Sequence, residues 1–139
     1  MNYKTYEVRE FTNGTIEYYK NNKRHREDDK PAIEYGSGTK YWFKNGLIHR
    51  ENGPAIINAD GDKWWYKDGK LHREDGPAVV YGTGDKYWYL NDIRYNLEDY
   101  DNKIYNNKIN TKTFNIKGKL VSEDLIDEAL KFWINNKEK

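Results

Sequence analysis

Cysteine is absent from all 139 residues. No disulfide can staple the fold, and no thiol can serve as nucleophile or metal ligand, so a reducing cytoplasm is the simplest compartment. An excess of either charge is missing too: Lys plus Arg is 24, Asp plus Glu is 23, and the net charge is +1. That balance gives no global field to draw in nucleic acid or an anionic membrane, although a local basic patch is compatible with it. Long apolar runs are absent: nothing approaches the roughly 18 residues of a membrane helix. The opening Met1-Asn2-Tyr3-Lys4-Thr5-Tyr6 has no signal-peptide core. Leu, Ile and Val are sparse, whereas aromatics reach 16% of the chain and are mostly Tyr and Trp. Rings must therefore supply much of the apolar burial, and their abundance argues against disorder. The length fits one domain, 1–139, with a modest core.

What is present is a repeat of roughly 23 residues, in about three and a half copies. Lys40-Tyr41-Trp42-Phe43-Lys44-Asn45-Gly46-Leu47-Ile48-His49-Arg50-Glu51-Asn52-Gly53-Pro54-Ala55-Ile56 recurs nearly position for position from Lys63 to Val79. A looser copy runs from Glu17 to Ile33, and a fourth begins at Lys86 but carries Tyr95 in the histidine slot and no Gly-Pro-Ala. The aromatic triplets favour strands. Asn45-Gly46 and Asp68-Gly69 are the pairs that a two-residue type I′ hairpin turn prefers, because both central residues need positive φ. Short return strands follow at Leu47-Ile48-His49 and Leu71-His72. The Gly-Pro-Ala segment then opens another strand, since proline belongs at a strand start or edge. Gly36-Ser37-Gly38, Asp60-Gly61 and Gly82-Thr83-Gly84 turn the chain into the next unit.

Side chains alternate across a strand. Tyr18, Trp42, Trp65 and Trp88 therefore share one side, and their flanking rings share the other. One face is expected as core and one as partly exposed, with no sequence signal for which, or for whether the sheet stays open or curls into a barrel. Segment 1–13 reads as an N-terminal strand, 14–100 as the hairpin repeats and 101–121 as connecting strand and turn. Asp99-Tyr100-Asp101-Asn102 reads as a solvated loop, without calcium-loop spacing. Segment 122–136 reads as a helix: Ser122 is a plausible N-cap, and Leu125, Ile126, Ala129, Leu130, Trp133 and Ile134 form an apolar stripe at helical spacing. The expected fold is mainly β, an antiparallel β-hairpin repeat sheet with a C-terminal amphipathic helix as its cap. A homodimer through the same stripe stays open.

The Trp-Tyr-x-Asn/Asp-Gly-x-x-His-Arg-Glu-Asp/Asn-Gly-Pro-Ala unit resembles the MORN-variant repeats of bacterial, phage and giant-virus proteins, over about residues 14–100. That resemblance implies a MORN-like meander, an array of β-hairpins tied to protein assembly and sometimes to phospholipid. The chain departs from ordinary MORN repeats in lacking the regular Tyr-x-Gly-x-Trp opening and the Gly-x-Gly tail.

His25-Arg26-Glu27, His49-Arg50-Glu51 and His72-Arg73-Glu74 suggest catalysis or metal binding, since histidine beside a carboxylate can act as a base or a ligand. Spacing weighs against a shared site. With two paired strands per unit, equivalent histidines sit roughly 10 Å apart, too far to share one ion in an unfolded sheet. Two readings remain: the triplets support the turns, or they form an exposed binding ladder. No phosphate loop, nucleophile elbow or metalloprotease motif is present. No catalytic residue, metal or cofactor is expected. The candidate partner-binding residues are Trp42, Trp65, Trp88, His49, Arg50, His72, Arg73 and Arg26, because Tyr, Trp and Arg dominate interface hot spots. The expected function is non-enzymatic binding of a host protein by a phage- or virus-encoded module, acting as a blocker of a defence protein. The alternatives are a sponge for a nucleotide signal, an enzyme using one His-Glu pair, and a phospholipid or membrane-surface binder.

Overall fold

The structure, a computed structural model, describes residues 5–112, with side chains through 108. The helix expected at 122–136 lies outside the described residues. The chain divides into two units, Met1–Tyr100 and Asp101–Lys139. The strands belong to the first unit, and helix α1 (Leu97–Lys112) starts in it.

Strand β1 (Glu7–Glu10) pairs antiparallel with β2 (Ile16–Lys20), which turns at Asn21-Asn22 into β3 (Lys23–Arg24). The pattern then recurs. Strand β4 (Ile33–Glu34) precedes β5 (Lys40–Tyr41), β6 (Phe43–Lys44) and β7 (Leu47–Ile48). Strand β8 (Ile56–Ile57) precedes β9 (Lys63–Trp64), β10 (Tyr66–Lys67) and β11 (Lys70–Leu71). Strand β12 (Val79–Val80) precedes β13 (Lys86–Leu90) and β14 (Ile93–Tyr95). The main sheet runs β1-β2-β4-β5-β8-β9-β12-β13-β14, with β3 beside β2. Its ends do not pair with each other, so this is an open antiparallel meander and not a barrel.

Each aromatic triplet has two jobs. Its first half pairs on both sides within the main sheet, and its second half pairs with the return strand of its own hairpin. The central residue joins the two: Trp42 N–H donates to Ala55 O at 2.8 Å, and His49 N–H donates to Trp42 O at 3.1 Å. Four hairpin tips are type I′ turns, because both central residues of Asn21-Asn22, Asn45-Gly46, Asp68-Gly69 and Asn91-Asp92 have positive φ. Asn and Asp tolerate that region better than other non-glycine residues, which lets tips without glycine form as well.

Register creates two rows. Arg9, Glu17, Ile33, Tyr41, Ile56, Trp64, Val79 and Tyr87 lie opposite one another across successive strands. Aliphatic residues there alternate with rings, and Ile33, Ile56 and Val79 are buried beneath them. On the other face Ala32, Ala55 and Ala78, all fully buried, alternate with Tyr18, Trp42 and Trp65. A larger side chain has no room between these rings. Buried residues thus lie on both faces of the sheet, and the rings Tyr41, Trp64 and Tyr87 of the first row are half-buried.

Two sequence readings need correction. Residues 101–112, expected as strand and turn, are helical, and Asp99-Tyr100-Asp101-Asn102 lies in helix α1 and not in a loop. Asn96 starts that helix: its Oδ1 accepts from Asp99 N–H at 2.8 Å, and its Nδ2 donates to the Asp99 carboxylate at 2.7 Å. This reciprocal cap, with Glu98 and Asp99 in the first turn, stabilises a segment that lacks an apolar stripe.

Candidate functional site

The loop after each return strand, from histidine to Pro-Ala, folds back over the central ring of its own hairpin. The Arg26 guanidinium lies 3.6 Å from the Tyr18 ring centre, Arg50 lies 3.9 Å from Trp42, and Arg73 lies 4.1 Å from Trp65. Partly buried stacks of this kind contribute about 0.5–2 kcal/mol each. The Nη1 of each arginine also donates to the proline carbonyl of its own loop, at 3.1 Å to Pro31, 3.1 Å to Pro54 and 3.2 Å to Pro77. Arginine thus covers the ring and closes the loop together.

The histidines tie each hairpin to the next. Nδ1 of His25, His49 and His72 accepts the backbone N–H of Asn45, Asp68 and Asn91, at 3.0, 3.0 and 3.1 Å. The second turn residue adds a parallel bond: Gly46, Gly69 and Asp92 donate to the carbonyls of Arg24, Ile48 and Leu71, each at 2.9 Å. The tip amides of one hairpin are therefore satisfied by the previous one. An amide can only donate, so Nδ1 carries no proton and the neutral ring keeps its proton on Nε2. That proton points at Glu51 from His49, 2.8 Å away, and at Glu74 from His72, 3.1 Å away. At His25 the Glu27 carboxylate is 3.6 Å from Nε2, beyond hydrogen-bond reach. At His49 the Asp68 carboxylate also lies 3.1 Å from Nδ1. Both ring nitrogens of His49 and His72 are used in holding the array. Among the described residues, no cluster of three or more His, Asp or Glu has metal-binding geometry.

Three loops leave two clefts between consecutive neighbours, one near the start of the array and one in its middle. The first, about 270 Å³, lies between the His25 and His49 loops, with Asp29 among its lining residues. The first copy is one residue longer here, with Asp29-Lys30 where the second has Gly53. Asp28 and Asp29 take up the extra length with φ of 61° and 54°. Asp29 then binds the next repeat: Arg50 donates from Nε at 2.7 Å and from Nη2 at 3.0 Å to its two carboxylate oxygens. The Trp42 indole N–H donates to the Asp29 carbonyl at 3.0 Å. The hydrogen bond from Arg50 holds the Asp29 carboxyl below the ordinary carboxylate range.

Beyond the second cleft, Tyr100 of α1 anchors the last loop. Its hydroxyl donates to Arg73 O at 2.6 Å and accepts from Gly76 N–H at 3.2 Å, and the residue is buried.

The middle cleft, about 570 Å³, lies between the His49 and His72 loops. Arg50, Trp65, Tyr66, Lys67, His72 and Arg73 are among the residues that line it. Arg73 Nε donates at 2.7 Å to Asp75 of its own loop, whose side chain is 85% exposed. Within the described residues neither Arg73 Nη2 nor the Trp65 indole N–H makes a hydrogen bond. These two groups correspond to two of the three that Asp29 satisfies in the first cleft. Glu51 and Glu74 also line the cleft, turned toward His49 and His72. Burial raises the pKa of the Tyr66 phenol above its ordinary value, keeping it a neutral hydroxyl.

The sequence-derived candidates separate by this geometry. Trp42 and His49 are buried. Arg26 and Arg50 are engaged with Glu34 and Asp29. Trp65, His72 and Arg73 come together on the middle cleft, and Trp88 is half-buried on the following strand. Asp29, Tyr66 and Tyr100 escaped the sequence reading. The one-residue insertion in the first copy was the available signal for Asp29, and the Asn96-to-Asp99 cap was the signal for the helix carrying Tyr100.

No family model matches the chain, and no curated protein or solved structure matches it. Among the described residues no helix is long and apolar enough to cross a membrane.

Proposed function

We propose that this chain is a non-enzymatic protein-binding module that engages its partner through the loop face, with the middle cleft at the centre of the contact. The middle cleft carries the reading. In the first cleft Asp29 takes the guanidinium and indole N–H groups of Arg50 and Trp42, whereas the middle cleft presents a ring, a guanidinium and an indole N–H to a ligand. Aromatic and arginine side chains in a pocket are the composition of binding hot spots. Histidines committed to holding neighbouring turns favour binding over acid–base chemistry. On this reading the chain works by occupancy, covering a surface of its partner as an inhibitor does. The residue pattern makes it a MORN-variant-like array put to that use.

The test is reconstitution with purified components. A protein captured from lysate is purified and titrated against wild type, a loop-face variant (Arg73→Gln with Lys67→Gln) and an opposite-face variant (Tyr81→Ser). Loss of a stoichiometric complex only in the folded loop-face variant is expected. Loss only in Tyr81→Ser, or no stoichiometric complex with any captured protein, contradicts the reading.

A further inference from the structure

We infer that the middle cleft binds an aspartate-bearing turn of a partner protein, in the way Asp29 occupies the first cleft; this rests on the protein-binding reading above. The chain holds an internal precedent for the ligand. In the first cleft one residue satisfies three N–H donors on two side chains of the next repeat: its carboxylate takes Nε and Nη2 of Arg50, and its own carbonyl takes the Trp42 indole N–H. The middle cleft repeats those donors as Arg73 and Trp65, on the same guanidinium-over-ring stack. It lacks the residue that would satisfy them, because the second copy is shorter and has Gly53 where the first has Asp29 and Lys30.

The geometry also selects against simpler ligands. A free carboxylate supplies the guanidinium contact but not the carbonyl for the indole. A peptide aspartate supplies both from one residue. Asp28 and Asp29 present them from left-handed backbone, which Asn, Asp and Gly adopt more readily than other residues. The favoured ligand is thus an acidic tight turn. Asp75 is its competitor. It occupies the Nε edge of Arg73 through an exposed ion pair, which is weak enough to be displaced.

The probe is the peptide Glu-Asp-Asp-Lys-Pro, identical to residues 27–31, cyclised to favour the turn. It is titrated into the full ¹⁵N-labelled chain while the Trp65 indole resonance is followed. The expected result is a saturable shift at Trp65, weaker by about tenfold for Glu-Asn-Asn-Lys-Pro because the charge-assisted bidentate contact is lost. Arg73→Gln should abolish the shift while spectral dispersion is retained. Asp75→Asn should tighten binding by about two- to fivefold, and this arm reads out even if Arg73→Gln unfolds. No shift at Trp65, an equal shift with the amide peptide, or a stronger Arg73-dependent shift with a nucleoside diphosphate overturns the inference. A purified partner that binds wild type and Arg73→Gln equally, but is lost from other loop-face variants, also overturns it and leaves the protein-binding reading standing. Absence of any partner removes the reading itself.

Discussion

The backbone N–H of Asn45 donates to Nδ1 of His25 at 3.0 Å, across twenty residues of sequence and one repeat boundary. The same bond recurs from Asp68 to His49 and from Asn91 to His72. A two-residue hairpin tip leaves amides without a partner in its own hairpin, and in this array the neighbour provides one. Triplets that resemble catalytic groups are the stitches between repeats.

His25→Ala and His49→Ala should each therefore destabilise the array by about 0.5–1.5 kcal/mol, the net worth of the hydrogen bond to an exposed turn amide. Both histidines are buried, and His72, which is less so, should cost less. Urea denaturation measures this, and changes within a few tenths of a kcal/mol would contradict the stitching role.

Ala55 is fully buried between the Trp42 and Trp65 strands. Ala55→Leu should overpack the row and lower stability by about 1–3 kcal/mol. An unchanged or raised thermal midpoint would show that the row has room for a larger side chain.

Acid should weaken the first cleft by a route that can be isolated. The folded Asp29 carboxyl has its pKa lowered, chiefly by the Arg50 hydrogen bond. Its contribution is complete above the unfolded carboxylate value of about 3.9 and is lost as pH falls through the lower folded value. The stability gap between wild type and Asp29→Asn should be steady at neutral pH and narrow below about pH 4. Asp75 is shifted the same way by Arg73, but it is far more exposed, so Asp75→Asn should show a smaller gap. A gap that widens in acid would contradict the assignment.

The connecting turns stack, and two glycines there differ in kind. A Cβ on Gly36 would run into the Asn13 carbonyl of the preceding turn, whereas Gly38, at φ 96°, faces open space. Gly38→Ala should cost about 1–2 kcal/mol, the price of left-handed backbone for an L residue. Gly36→Ala should cost more, because the backbone of two turns must separate. Equal losses in calorimetry would show that the turns are not in contact.

The repeat itself was legible because its determinants are local. Asn45-Gly46 and Asp68-Gly69 specify their turn by φ alone, and the triplets specify strands by period and propensity. Strand β1 was harder to read as part of the repeat, since Val8-Arg9 stands where later copies carry Ala-Ile or Ala-Val; its charges suit an exposed edge. Helix α1 was missed because Leu97–Lys112 has no apolar periodicity, and only the cap at its start reports it. The asymmetry of the clefts was out of reach for a different reason. Asp29 meets Arg50 from 21 positions away, and a single inserted residue decides whether that carboxylate arrives.

That asymmetry is best measured without any ligand, by hydrogen exchange of the indole N–H groups in the folded chain. Trp42, bonded to the Asp29 carbonyl, should be protected, and Trp65 at the middle cleft should exchange rapidly with water. Equal protection of the two would mean that the middle cleft is already filled, and the account of it as the binding site would fail.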